Sequence, residues 1–88
     1  MPQTRKLILD VLKPHQPDAL DFSLALADLG VDYRVNLTVT EVDKKTESTI
    51  VIIEGHDVNF EEIKMAVEKM GASVHSIDQV EVVGTEAT

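Results

Sequence analysis

A two-layer α+β sandwich, with two helices on one face of a four-stranded sheet, is the fold class this 88-residue chain predicts. Three observations predict it. Stretches of period-two and helical hydrophobicity alternate in the order strand, helix, strand, strand, helix, strand. Both helical stretches run into a glycine, Gly30 and Gly71. A short polar run, Asp43 to Glu47, joins the second and third strands at hairpin length. This βαββαβ order is that of the ferredoxin-like sandwich. One domain is expected over residues 1–84, with a frayed tail over 85–88.

Each element has a local cause. Leu7, Leu9 and Val11 alternate with Ile8, Asp10 and Leu12 as a strand. Pro14 and Pro17 end it, because proline donates nothing to a ladder. Pro17 and Asp18 suit the first turn of a helix whose stripe is Leu20, Leu24 and Ala27, widened by Phe22, Leu26 and Leu29. Gly30 is the expected stop. Val35, Leu37 and Val39 alternate with Asn36, Thr38 and Thr40, a strand with one wet face. Ile50 to Ile53 is β-branched throughout and reads as a central strand. Asn59 as N-cap, Glu62 three residues on, and Val58 with Ile63 as a hydrophobic staple open the second helix. Its stripe is Phe60, Ile63, Val67 and Met70, and Gly71 stops it. Val74 to Val83 forms the last strand. There Val74, Val80 and Val82 claim the core phase and draw Asp78 with them, a conflict a β-bulge would resolve.

Composition narrows the function. Sixteen acidic against eight basic residues leave a net charge of −8, which opposes binding to a nucleic-acid backbone and favours divalent cations or basic partners. Cysteine is absent, which excludes thiolate metal sites, iron–sulfur carriers and thiol catalysis. No apolar run approaches the roughly 20 residues of a membrane span, and no signal-peptide pattern opens the chain. A cytoplasmic location is therefore expected. The central strands offer no aromatic for stacking a base, and the loop after the first strand has no glycine-rich phosphate cradle. No nucleophile motif is present, so catalysis is not expected.

The candidate residues follow from topology. The sheet is expected to be antiparallel overall, in the order 4-1-3-2, with the first and third strands parallel at its centre. Their C-terminal ends would then share one sheet edge with the start of the fourth strand and both helix N-termini. That edge would gather His15, His56, Asp57 and His75. Imidazoles and a carboxylate suit a transition metal, although no H-x-H or H-x-x-x-H pair is present. Polar loop residues also cluster there without any ligand. Glu41, Asp43 and Glu47, at the other edge, read as a solvated charge network balanced by Lys44, Lys45, Arg5 and Lys6. On the sheet face away from the helices, Ile8 and Leu12 flank Asp10, and Asp78 is the neighbour expected for it. An apolar sheet face of this kind calls for a partner, most simply a second copy of the chain.

The runs Leu9-Asp10-Val11-Leu12-Lys13-Pro14-His15, Thr40-Glu41-Val42-Asp43, Ile53-Glu54-Gly55, Phe60-Glu61-Glu62-Ile63 and His75-Ser76-Ile77-Asp78-Gln79-Val80 resemble an uncharacterised, mainly archaeal family known as "domain of unknown function two-eleven". The resemblance spans nearly the whole chain and departs only around the Gly30–Val35 turn. It implies the ferredoxin-like fold, a homo-oligomeric and ring-like assembly, and a bound divalent metal such as calcium. It implies no established activity.

The expectation is a non-catalytic oligomer that binds a divalent metal, associating through its open sheet face or strand edges. The candidate ligands are Asp10, His15, His56, Asp57, His75 and Asp78, which need not form a single site. Ca²⁺, Mg²⁺ or Zn²⁺ is the one cofactor class left open; nucleic acid and membrane are not expected partners. The rival reading is a small-ligand regulatory module similar to amino-acid-sensing ACT domains.

Overall fold

A computed structural model describes residues 1–85; of the tail expected over 85–88, residues 86–88 lie outside them. The elements are β1 (Gln3–Pro14), α1 (Ala19–Ala27), β2 (Arg34–Val42), β3 (Thr46–Glu54), α2 (Phe60–Lys69) and β4 (Ser73–Val83). They form a βαββαβ sandwich on one sheet of order β2-β3-β1-β4, the expected 4-1-3-2 order read from its other side.

One expectation about direction is overturned. β1 and β3 are antiparallel neighbours, with Leu7 opposite Ile53 and Val11 opposite Thr49. The reason is connectivity. The crossover through α1 makes β1 and β2 parallel, and the β2–β3 hairpin then reverses the chain. The C-terminal ends of β1 and β3 therefore lie at opposite ends of the sheet, and so do the starts of α1 and α2.

The core is the helix-facing phase of each strand. Leu7, Leu9 and Val11 of β1 meet Val51 and Ile53 of β3, and Phe22, Leu26, Ile63 and Val67 of the helices close over them, all buried. Lys13 continues the β1 phase and is equally buried. Thr49 in the same layer donates its hydroxyl to the Val11 carbonyl at 2.7 Å, so its polarity is satisfied.

The helix termini show which local signals operate. Asn59 caps α2 by accepting from the Glu62 amide at 3.1 Å, and Val58 and Ile63 are buried as a staple pair. Gly71 has φ of 86°. The Gly71 amide donates to Glu68 and the Ala72 amide to Val67, at 3.0 and 3.1 Å, the paired bonds of a Schellman stop. Gly30 behaves differently. α1 ends earlier, at Ala27, with Asp28 as a right-handed cap. Gly30 is needed for space, because a Cβ there would lie 2.4 Å from the Tyr33 ring. Pro17, expected in the first turn, precedes the Asp18 cap; the Gln16–Pro17 peptide is cis.

β4 carries the bulges its pattern required. Its pairing with β1 slips between Ile8 and Leu9 and between Asp10 and Val11, leaving Asp78 and His75 as the extra residues. Val80 and Val74 thus both stay in register with core positions of β1, opposite Leu7 and Val11.

Candidate functional site

The antiparallel centre divides the predicted histidines. His56 and Asp57 follow β3 at the end where β1 begins. There Arg5 donates to His56 Nδ1 at 2.6 Å, and the His56 amide donates to Asp32 at 2.8 Å. His15 lies at the far end, beside the β2–β3 hairpin. The four-residue gathering of His15, His56, Asp57 and His75 at one edge is therefore not formed, and Glu47, expected at the opposite edge, is His15's neighbour.

His15 is also committed elsewhere. Its Nδ1 meets Glu47 Oε2 at 3.0 Å and its Nε2 meets the Lys44 carbonyl at 2.9 Å. Both ring nitrogens are engaged by protein acceptors, so neither faces an open position for a metal in this arrangement. The hydrogen bond to Glu47, then the one to the Lys44 carbonyl, raise the His15 pKa above its ordinary 6.5. The bonds from His15 and then Lys13 lower that of Glu47. Lys13 Nζ donates to Glu47 Oε1 at 3.1 Å and to the Pro14 carbonyl at 2.8 Å, and lies 5.8 Å from the Phe22 ring centre. The sequence contained a signal for this cluster: Lys13 falls in the phase of Leu7, Leu9 and Val11, and a lysine in a core phase must find an acceptor.

The open sheet face keeps the remaining candidates together. Asp10, Leu12, Ser48 and His75 line a shallow pocket of about 210 Å³. Ser76 pairs with Asp10 across β1 and β4, and its hydroxyl donates to Asp78 Oδ1 at 2.7 Å. The two β4 bulges bring about this grouping, since His75 and Asp78 are the residues they insert. Ser48 and Ser76 were not among the predicted residues; the register opposite Leu12 and Asp10 brings them in. Around the pocket, Ile8 pairs with Ile52 and Asp10 with Ile50 in the same face. Leu12 is exposed and the three isoleucines are partly so. Among the described residues, no three of His, Asp or Glu converge closely enough to hold a metal ion by themselves. A larger hollow of about 580 Å³ between the chain ends is lined by Met1, Gln3, Arg5, Val83, Gly84 and Thr85 and holds none of the candidates. Among the described residues, no helix is long and apolar enough to cross a membrane.

These features define a ferredoxin-like α+β domain with a bare sheet face, on which acidic, imidazole and hydroxyl groups stand among aliphatic ones. The chain belongs to the domain of unknown function two-eleven family, described as "Uncharacterized ArCR", whose model matches residues 5–87. It is 46% identical over 76 residues to an uncharacterised protein of Methanocaldococcus jannaschii, a match covering 86% of this chain and 78% of that relative.

Proposed function

We propose that this protein is a non-catalytic, self-associating module that binds a divalent cation at its open sheet face. The supporting observation is the pocket that Asp10 and His75 share, with Asp78 one hydrogen-bonded step away through Ser76. Oxygen donors with one imidazole suit a divalent ion. One chain supplies too few convergent ligands to complete a coordination shell. The aliphatic rim around the pocket gives a second copy a reason to cover it, and that copy would bring its own Asp10, His75 and Asp78 to the same ion. Assembly and binding then reinforce each other by mass action.

Native mass spectrometry of chelator-stripped protein, before and after Ca²⁺, Mg²⁺ and Zn²⁺, tests this reading. The expected result is a discrete oligomer that gains stoichiometric metal, with uptake lost in Asp10→Asn. A monomer that ignores all three ions would overturn the proposal. Uptake unchanged in a triple Asp10→Asn, His75→Gln, Asp78→Asn variant would remove the assignment of the ligands. A thermal shift with amino acids but not with metals would favour the small-ligand module instead.

A further inference from the structure

The end of β1 and the β2–β3 hairpin meet at a cluster outside the open-face pocket. His15 bonds the Glu47 carboxylate through Nδ1 and the Lys44 carbonyl through Nε2. A carboxylate and a carbonyl only accept, so both ring nitrogens must donate. Neutral imidazole carries one N–H; imidazolium carries two. The arrangement therefore selects the cation. We propose that His15 is a pH-operated clasp: charged, it ties the β2–β3 hairpin to the end of β1 at two points, and neutral, it surrenders one of them.

The surroundings fit this role. The His15 side chain is 40% exposed, so its proton exchanges freely with solvent, whereas Glu47 is 17% exposed and Lys13 is fully buried. From the hairpin, Glu47 and the Lys44 and Asp43 carbonyls favour the charged ring. The Lys44 and Lys45 ammonium groups stand on the same hairpin. From β1, Lys13 opposes a second cation, but it holds the other Glu47 oxygen, so one carboxylate serves both. After β1, Asp18 begins α1 with its carboxylate held by the Asp21 amide. Beyond α2 and Lys69, Gly71 approaches Pro14 and brings no charge. Three side-chain anchors between the hairpin and the end of β1, His15 to Glu47, His15 to the Lys44 carbonyl and Lys13 to Glu47, thus pass through groups that titrate, and of these groups only histidine ordinarily does so near neutrality.

An NMR pH titration of the labelled full chain tests the clasp. The His15 midpoint should lie above the ordinary 6.5, and both ring nitrogens should carry protons below that midpoint. The backbone amides of Asp43 to Glu47 should shift with that same midpoint. In His15→Gln, a change at a half-exposed position, the hairpin transition should disappear. A His15 midpoint at or below 6.5, or hairpin amides that titrate unchanged in His15→Gln, would overturn the proposal. The wild-type titration decides alone if the variant does not fold.

Discussion

At the scale of single residues, Lys13 shows how strongly strand phase governs placement. Its neighbours in the alternation are apolar, so the backbone carries it inward regardless of charge, and Glu47 and the Pro14 carbonyl supply the acceptors it then needs. Glu47 is shared with His15, which links stability to pH in both directions. The His15 pKa is raised, so its contribution is complete below the ordinary 6.5 and is lost as pH rises through the higher folded value. The Glu47 pKa is lowered, so its contribution is complete above the ordinary 4.5 and is lost as pH falls through the lower folded value. Stability from this pair should therefore form a plateau between those two ordinary values. Thermal melts across pH check this, and His15→Gln should remove the alkaline decline. An alkaline limb that persists in that variant would assign the effect to another group.

At the scale of elements, two glycines that look equivalent in sequence have different duties. Gly71 supplies the left-handed turn of the Schellman stop, and alanine there should cost about 1–2 kcal/mol. Gly30 makes room for Tyr33, whose ring also crowds Gly55 and whose hydroxyl accepts the Asn59 amide at 2.8 Å. Alanine at Gly30 should displace that ring and cost about 1–3 kcal/mol. Denaturant melts of the two variants check the magnitudes. Near-ultraviolet circular dichroism, which follows the Tyr33 environment, should change for Gly30→Ala and stay the same for Gly71→Ala. Equal spectra for both would refute the distinction.

At the scale of the whole molecule, the helices cover only one face of a long sheet. The molecule measures 53 × 22 × 18 Å. A helix the length of α2 rises about 15 Å, whereas a strand the length of β4 reaches about 35 Å. Ile77, Val80 and Val82 of β4 accordingly remain about half exposed, and the opposite face bears Ile8, Ile50 and Ile52. If copies meet through that open face, Ile52→Lys should hold the chain as a folded monomer. Sedimentation equilibrium would show the change in mass, and an unchanged far-ultraviolet spectrum would show that the fold survives. An oligomer that tolerates the lysine would move the interface to the strand edges.

The sequence by itself determined the βαββαβ order, the core phase of β1 and β2, the cap and staple of α2, the Gly71 stop and the need for a bulge in β4. These rest on periodicity and local hydrogen bonding, which a chain carries within a few residues. Asp78 was the neighbour expected for Asp10; the register instead sets Ser76 opposite Asp10 and leaves Asp78 in a bulge, hydrogen-bonded to that serine. Tertiary structure alone decided the rest. The antiparallel run of β1 against β3 sent His56 and Asp57 to one end and His15 to the other, since strand direction depends on how the whole chain reverses. Register, set across strands rather than along one, brought Ser48 and Ser76 beside the candidate ligands. It also gave Glu47 to both His15 and Lys13, because residues more than thirty positions apart become partners only when the sheet closes.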